Sequence, residues 1–353
     1  MVNLFQKVKL HHEQQLPFVV FCKPNSDKII GLFQKDNSDY FIKNFEEKGF
    51  VFAPFNGMNI PYIPVDASHV YVEKVSVTDF YVGSNTNFVS NEKDQSDFEK
   101  LVQKGINALQ SETFQKVVLS RKEIVTISNF EIEIVFKKLL VNYPTAFNYC
   151  FFHPKTGLWL GATPEQFLKV NHNEIDTVAL AGTQVFNNND EVIWGTKEKQ
   201  EQAFVSDFIV SSLKEYVDEV TVSKPYTARA GNLVHIKTDI SAKLNVQQNL
   251  QPIIEALHPT PAVCGLPIVT ARDFILKNED YEREYYSGFL GELNIDLATF
   301  KTEQSDLFVN LRCMKIMENT AELYIGCGIT KDSNPNKEYI ETVNKSLTMK
   351  KVL

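Results

Sequence analysis

The sequence predicts an α/β (α+β) protein with two packed, mainly antiparallel sheets and helices on the outside. Short apolar runs rich in Phe, Val and Ile are separated by polar turns at a spacing typical of hairpins. Longer segments with helical periodicity alternate with these runs, which indicates layers of helices over sheets. A chain of 353 residues can bury a large core, so we expect a single large domain over 1–353.

Composition excludes several classes of protein. The net charge of −8 argues against nonspecific binding to phosphate backbones, so we expect no nucleic-acid partner. The five cysteines are scattered, without the spacing of zinc ligands or of a disulfide framework. No segment of 18 apolar residues and no apolar N-terminal leader is present, so we expect a cytoplasmic protein with no membrane association.

The first 95 residues are predicted to be rich in strands and to carry little chemistry. The apolar runs 18–21, 29–33 and 50–55 indicate three of these strands. His11 and His12 are expected at the surface. The polar stretch 83–96 is expected to be a loop or the seam with the remaining chain, 96–353, which we expect to form the catalytic core.

Beyond this seam, strands and helices follow in order. Ser96 and Glu99 fit a capping box at the start of a helix, and a second helix is predicted over 130–142. Strands are then predicted over 146–152, 158–162, 167–170 and 175–180, and a long helix over 196–217.

The strand at 115–121 contains a lysine whose position needs an explanation. Side chains alternate along a strand, so Lys116 shares a face with Val118 and Ser120, while Val117 and Leu119 lie on the other face. An amine next to apolar residues is costly to desolvate. On the strand alone, an edge position with the amine in water is favoured over a functional amine.

Two carboxylates stand out against their surroundings. Glu165 ends the turn 161–165, and by itself that position indicates a solvated loop carboxylate. Glu201 projects into the apolar stripe of the helix 196–217, where a carboxylate must be neutral, paired or bound to a cation. Because the sequence shows no partner for an ion pair, we favour a functional role for Glu201.

The C-terminal half adds further polar candidates. His235 lies in an apolar strand, where a hydrogen-bonded core histidine is the default expectation. Arg312 is placed on a strand predicted over 307–313. Gly326 and Gly328 end another strand, and their backbone N–H groups could bind an oxyanion.

The last predicted helix carries an apolar stripe and a charged flank. By periodicity alone, the charged flank is expected to be solvated. The stripe consists of Ile340, Val343 and Leu347, and the flank consists of Glu338, Glu341 and Lys345.

Taken together, these motifs resemble the chorismate-utilising enzyme family, and within it most closely the members that form isochorismate. The resemblance covers about 96 to the C-terminus, whereas the first 95 residues match weakly, chiefly at 50–55. The matching stretches are 116–121, 161–165, 180–183, 197–201, His235, 258–262, 286–288, Arg312, 326–328, and Glu338 with Glu341 and Lys345.

The resemblance implies the fold of anthranilate synthase component I and a Mg²⁺-dependent conversion of chorismate to isochorismate. Water would attack ring carbon 2 while the hydroxyl at carbon 4 departs. Lys116 would be the base that activates water, and Glu165 the acid that protonates the leaving hydroxyl. Glu201 and Glu341 would hold Mg²⁺, with Glu338 close by.

The resemblance also implies a binding site for a small dianionic substrate. Hydroxide is a poor leaving group, so the reaction needs an acid as well as charge neutralisation. The guanidinium of Arg312 can grip the pyruvyl carboxylate bidentately. The implied substrate-binding residues are Gly182, Thr183, His235, Ala262, Tyr286, Arg312, Gly326, Gly328 and Lys345.

The sequence departs from the family pattern at two positions, which leaves their local packing open. Gln202 stands where the family usually has His, and Cys327 where Ala is common. Neither change removes a group that the chemistry needs.

Three alternative functions are considered beside isochorismate formation. A salicylate synthase shares these motifs and adds pyruvate elimination. Ammonia-using members need a glutaminase partner and lack a base at the position of Lys116, and some carry Lys where this chain has Ala181. A non-catalytic binding protein would need no paired acid and base. We expect a monomer without an obligatory glutaminase, and the sequence does not separate menaquinone from siderophore biosynthesis.

Overall fold

The predicted strands form two sheets in which every strand pair of the described chain is antiparallel. The computed structural model describes residues 3–74, 92–185, 192–230, 233–245 and 249–353. The helices in this part are α1 Leu4–Glu13, α2 Glu92–Gln110, α3 Ile132–Asn142, α4 Thr196–Leu213, α5 Gln251–Leu257, α6 Ile268–Asn278 and α7 Pro335–Lys350.

The strands are numbered in chain order. Those of the first half are β1 Phe18–Cys22, β2 Lys28–Gln34, β3 Gly49–Ala53, β4 Tyr62–Pro64, β5 Ser68–Lys74, β6 Lys116–Thr126, β7 Phe147–His153, β8 Gly157–Thr163 and β9 Gln166–Asn171. Those of the second half are β10 Glu174–Val185, β11 Val217–Val222, β12 Tyr226–Ala230, β13 Leu233–Leu244, β14 Gly265–Leu266, β15 Phe289–Leu293, β16 Gln304–Val309, β17 Cys313–Ile316 and β18 Thr320–Ile329.

Within the described residues each sheet has nine strands, and the N-terminal strands are divided between them: β1, β2 and β5 lie in one sheet, β3 and β4 in the other. The first sheet has the order β14-β6-β18-β17-β8-β7-β1-β2-β5. The second has the order β11-β13-β10-β9-β16-β15-β3-β4, with β12 paired to β13. The first 95 residues therefore build parts of both sheets, in agreement with the predicted strands in that region.

The two sheets pack face to face through an aromatic interior. Because alternate side chains of a strand point to opposite faces, a central strand such as β7 gives one apolar row to this interior and one to the outer helices. Phe52 of β3 stacks on Phe151 of β7 with ring centroids 4.3 Å apart. Phe147 of β7 stacks on Phe308 of β16 at 4.4 Å. The unusually frequent Phe residues thus bind one sheet to the other.

The helices cover the outer faces of the sheets, as predicted. Apolar residues of α1 and α3 pack on the first sheet around β1, β7 and β8. Those of α2, α6 and α7 pack on the same sheet at β6 and β18. Those of α4 and α5 cover the second sheet. The result is a four-layered α/β/β/α arrangement.

The N-terminal region contains a helix, α1, that the strand-rich prediction missed. Asn3 caps this helix through a capping box. The expectation that His11 and His12 lie at the surface holds only in part, because both are half-buried. His11 contacts the ring of Phe33 with centroids 4.9 Å apart, and His12 contacts Phe152 at 4.7 Å.

Two predicted helix ends also require correction. Helix α2 already includes Glu92, so the motif at Ser96 and Glu99 lies within the helix rather than at its start. The segment 83–91 of the predicted loop lies outside the described residues. Helix α4 ends at Leu213 instead of residue 217, because Val217 opens strand β11 against β13.

No helix among the described residues combines the length and the apolar character needed to cross a bilayer. The five cysteines are buried free thiols.

Candidate active site

A cavity of about 210 Å³ lies where β6, β10, β13 and β18 approach α4 and α7. It gathers every site residue predicted from the sequence except Thr183, whose side chain lies outside the described part of the chain. The residues that line it include Lys116, Glu165, Gly182, Glu201, His235, Ala262, Tyr286, Arg312, Gly326, Gly328, Glu338, Glu341 and Lys345.

Lys116 lies at the start of β6 and forms an ion pair inside the cavity wall. Its Nζ is 2.7 Å from Oε1 of Glu201, and its side chain is only 7% exposed. The short strand β14 covers this edge of the sheet. The reading of Lys116 as a solvated edge residue is therefore wrong. Lys116 is also the ion-pair partner for Glu201 that the sequence did not reveal.

Glu165 lies at a rigid turn between β8 and β9. The Thr163 hydroxyl donates to the carbonyl of Val309 at 2.5 Å, and the Val309 N–H donates to the carbonyl of Glu165 at 2.9 Å. The expectation of a solvated loop carboxylate is wrong, because Glu165 is buried. Burial raises its pKa to about 7, although the cations of Lys116 and Arg312 oppose this rise.

Arg312 lies between two strands rather than within one. The predicted strand 307–313 is interrupted, since β16 ends at Val309 and β17 begins at Cys313. Arg312 adopts a left-handed backbone with φ 48°, and its carbonyl accepts a hydrogen bond from Ala162 N–H at 3.0 Å. Burial lowers the pKa of its guanidinium, against the effect of nearby Tyr286 and the glutamates.

The backbone of Gly326 and Gly328 faces the cavity. Lys345 Nζ donates to the carbonyl of Gly326 at 3.1 Å, so the polar groups of Gly326 point away from β6. Val118, opposite Gly328, donates its N–H to Cys264 rather than to β18. In an antiparallel ladder both glycines therefore belong to pairs without mutual hydrogen bonds. Their N–H groups point to the side that β17 leaves open.

Because Gly326 has no side chain, the hydroxyl of Tyr286 can lie close to its backbone. A Cβ at this position would lie 2.7 Å from Tyr286 Oη and 3.1 Å from the carbonyl oxygen of Leu119. Tyr286 is buried, and this burial raises the pKa of its phenol. Its hydroxyl is therefore a protonated donor at neutral pH.

His235 is a neutral member of the cavity wall. Its Nδ1 lies 2.9 Å from the carbonyl oxygen of Gly182, which can only accept, so Nδ1 carries the ring proton. Burial lowers the pKa of His235 to about 4. Gly182 has φ +69° and lies at an irregularity in the pairing of β10 with β13. This irregularity in β10, where the backbone favours glycine, thus fixes the tautomer of His235.

The charged flank of α7 lines the cavity instead of facing bulk water. Lys345 and Glu341 form an ion pair of 2.6 Å, one helical turn apart. The apolar stripe predicted for this helix is largely wrong, because Ile340 is 48% and Leu347 is 49% exposed. The residues of α7 that are buried are Tyr339, Thr342, Ser346, Met349 and Lys350.

The cavity contains several carboxylates, and carboxylate oxygens are the type of ligand that a hard cation prefers. Glu201, Glu338 and Glu341 are joined by Glu198, which the sequence reasoning did not assign. Its spacing of three residues from Glu201 on one helix could have indicated it. Among the described residues, no three acidic, histidine or cysteine side chains converge on one metal position. Mg²⁺ commonly takes one or two carboxylates and completes its shell with water and substrate oxygens.

The two departures from the family pattern are accommodated. Gln202 is buried, and its Nε2 donates to Thr238 Oγ1 at 2.6 Å and to Ser206 Oγ at 2.9 Å. Cys327 lies in the apolar cluster between β18 and the outer helices and is also among the residues that line the cavity, close to Glu338. Both side chains are thus buried, with defined neighbours.

Comparison with known proteins places this fold and cavity in a family. The model of the family described as "Chorismate binding enzyme" matches residues 71–353. The chain therefore belongs to the chorismate binding enzyme family. The match begins before residue 96, and the proposed division of the chain near residue 95 stays a prediction.

Individual relatives of this chain carry more specific names than the family does. Isochorismate synthase EntC of Escherichia coli (strain K12) is 27% identical over 313 residues, which cover 82% of this chain and 78% of EntC. The menaquinone-specific isochorismate synthase MenF of Escherichia coli has a TM-score of 0.79 at 20% identity, over 96% of this chain and 89% of MenF.

The predicted likeness to anthranilate synthase component I is confirmed for the fold. The enzyme from Streptococcus pneumoniae TIGR4 has a TM-score of 0.70 at 15% identity, over 94% of this chain and 89% of that chain.

Proposed function

We propose that this protein is an isochorismate synthase, which converts chorismate to isochorismate by adding water at ring carbon 2 and releasing the hydroxyl at carbon 4. The observation that carries this proposal is the convergence of a buried amine and a buried, readily protonated carboxyl on one cavity. Simple binding of an anion would need cations, but it would not need such a carboxyl.

In the proposed reaction, Lys116 takes a proton from the attacking water and Glu165 gives one to the departing hydroxyl. A pKa of about 7 leaves a large fraction of Glu165 protonated near neutrality, as a general acid requires. A lysine accepts a proton from water only as the neutral amine. The proposal therefore requires that the carboxylate of Glu201, now 2.7 Å from Lys116, be engaged by a cation during turnover.

The anionic groups of chorismate would bind to cations and amides of the cavity. Arg312 would form a bidentate contact with the pyruvyl carboxylate. The N–H groups of Gly326 and Gly328, together with the hydroxyl of Tyr286, are donors for the same region. Lys345 adds a positive charge that remains close to these donors through its hydrogen bond to Gly326.

The glutamates of the cavity would hold Mg²⁺. Glu201 on α4 and Glu341 on α7 approach from two elements, and Glu338 lies one helical turn from Glu341. Bound Mg²⁺ would neutralise the carboxylate on the substrate ring and so reduce the charge that opposes attack by water. Thr183, Ala262 and neutral His235 would complete the ring pocket.

Product analysis tests this proposal. Purified protein with chorismate and Mg²⁺ should form isochorismate that carries ¹⁸O when the reaction runs in H₂¹⁸O. Ammonium salts should give no aminated product, because a base at Lys116 serves water rather than ammonia. Lys116→Ala should be inactive although it folds, as circular dichroism would show.

The same experiment separates the alternatives. Stoichiometric pyruvate together with salicylate would identify a salicylate synthase. An aminated product would overturn the role given to Lys116, and unchanged chorismate in the presence of Mg²⁺ would leave only a binding role.

A further inference from the structure

We propose that the buried ion pair of Glu279 and Arg283 is a positioning device, which sets the relative placement of three walls of the cavity. Neither residue lines the cavity. Arg283 contacts the backbone of Val118 and Val263, which do line it, and Glu279 contacts the backbone of Ser120 on the same strand as Val118. The inference rests on the proposed function, because its effect is measured as turnover of chorismate.

The pair is closed and almost completely buried. Arg283 Nη2 donates to Glu279 Oε1 at 2.6 Å and Nε donates to Oε2 at 2.8 Å, with both side chains 2% exposed. This leaves further guanidinium N–H groups for other acceptors. Because the guanidinium is planar and rigid, the directions of those remaining donors are fixed by the bidentate contact.

The first wall held by the pair is strand β6. Arg283 Nη2 also donates to the carbonyl of Val118 at 2.7 Å. Glu279 Oε1 accepts from the backbone N–H of Ser120 at 2.7 Å and from its hydroxyl at 2.8 Å. Two points of β6 are thus fixed, two and four residues after Lys116, the proposed base.

The second wall is the turn that carries Ala262. Arg283 Nη1 donates to the carbonyl of Val263 at 2.9 Å. One guanidinium therefore bridges a carbonyl of β6 and a carbonyl of the turn. The separation between Val118 and Val263, both of which line the cavity, follows from the width of the guanidinium.

The third wall is Tyr286. Its backbone N–H donates to the carbonyl of Arg283 at 2.8 Å, and the guanidinium carbon lies 5.8 Å from the centre of its ring. Behind Arg283 the ring of Phe55 lies 4.6 Å away. The guanidinium is thus enclosed between aromatic rings and polar backbone, and its own position is fixed.

A role in geometry explains these contacts better than a role in stability. A buried ion pair is often no more stabilising than well-packed apolar side chains of similar size. Apolar side chains would, however, leave the carbonyls of Val118 and Val263 without their shared donor. The general base and the ring pocket could then move apart, and a displacement of about 1 Å costs on the order of 10²-fold in rate.

The test compares folded variants by steady-state kinetics with chorismate. Glu279→Met/Arg283→Met should fold, and its kcat should fall on the order of 10²-fold while KM changes less than about threefold. Arg283→Lys keeps both charges but has no planar fork, so its kcat should lie between those of the wild type and the double variant. The graded loss in kcat is a readout that a purely structural role would not give.

The ion pair of half-buried Lys23 and buried Glu292 is the control. Its Nζ and Oε2 atoms are 2.5 Å apart, and neither residue nor its partners line the cavity. Lys23→Met/Glu292→Met should change thermal stability and leave kcat unchanged.

The outcomes separate this inference from the proposed function. Wild-type kcat in the folded Met/Met variant, or in Arg283→Lys should the double variant not fold, overturns the positioning role. A wild-type protein that does not convert chorismate overturns the proposed function itself.

Discussion

Replacement of Glu165 by Gln tests the proposed acid through two independent properties, turnover and stability. Gln keeps the size of the side chain but has no proton to give at neutral pH. Turnover should fall on the order of 10²-fold or more, while chorismate still binds through Arg312. In the wild type, kcat/KM should decline as pH rises through about 7, because Glu165 loses its proton there.

The stability effect follows from the pKa of the buried carboxyl. Its pKa is about 7 in the folded protein against an ordinary value of 4.5. Because the folded value is the higher one, stability that is present at low pH is lost as pH rises from about 4.5 to 7. The cost to the folded state is about 1 kcal/mol at pH 5 and about 3 kcal/mol at pH 8.

Urea unfolding of the wild type and Glu165→Gln at pH 5 and pH 8 measures this cost. The variant should gain about 2 kcal/mol relative to the wild type between the two pH values. Glu292→Gln is a matched control, because burial also raises the pKa of Glu292 to about 7. That variant should show a similar dependence of stability on pH, with turnover unchanged.

Two results would refute the reasoning. A difference in unfolding free energy that stays constant from pH 5 to pH 8 would mean that Glu165 is ionised in the folded protein throughout this range. Full turnover by Glu165→Gln would mean that another group protonates the leaving hydroxyl.

Two further predictions concern the metal and the glycine backbone. Activity should be lost in EDTA and return with Mg²⁺, and Glu201→Gln and Glu341→Gln should each lose most turnover with normal circular dichroism; full activity in EDTA would reject the metal assignment. Gly326→Ala should lower kcat/KM at least about tenfold, because the new methyl would meet Tyr286 Oη at 2.7 Å and the amides would shift. Wild-type kinetics in Gly326→Ala would remove the Gly326 amide from the substrate site.

The sequence predicted the two-sheet fold because strand signals are local. Alternation in 115–121 placed Lys116 with Val118 and opposite Val117 and Leu119, and the structure has this arrangement. Such a pattern does not show which other element meets each face. For that reason the strand pattern alone predicts a solvated amine at Lys116 and does not identify its partner, Glu201.

Helix α7 shows where periodicity misleads. Its apolar residues Ile340 and Leu347 are about half exposed, whereas Thr342 and Ser346 are buried. Small hydroxyl side chains let the helix approach its neighbours closely, and their hydroxyls are bonded within the helix, Thr342 to Tyr339 and Ser346 to the turn before it. The apolar positions therefore predict the wrong buried face for this helix. The family motif, in contrast, indicates the flank that lines the cavity.

The position of the cavity follows from the connections between the sheets, which no local pattern in the sequence reveals. The chain passes from the first sheet to the second between β8 and β9, at Glu165, and returns between β16 and β17, at Arg312. Where a chain leaves a ladder, its backbone groups need new partners. Here the two connections supply hydrogen-bond partners to each other. The Val309 N–H donates to the carbonyl of Glu165, and the Ala162 N–H donates to the carbonyl of Arg312.

This mutual bonding explains why two irregular segments can hold a carboxyl and a guanidinium side chain in fixed positions. An acid and a guanidinium on separate flexible loops would pair with each other or turn to water. On two bonded connections between rigid sheets, both line the cavity beside the part of β18 beyond Tyr324, with which β17 does not pair. The site is thus a consequence of how the two sheets are joined, and its acid is buried because the connections themselves are buried.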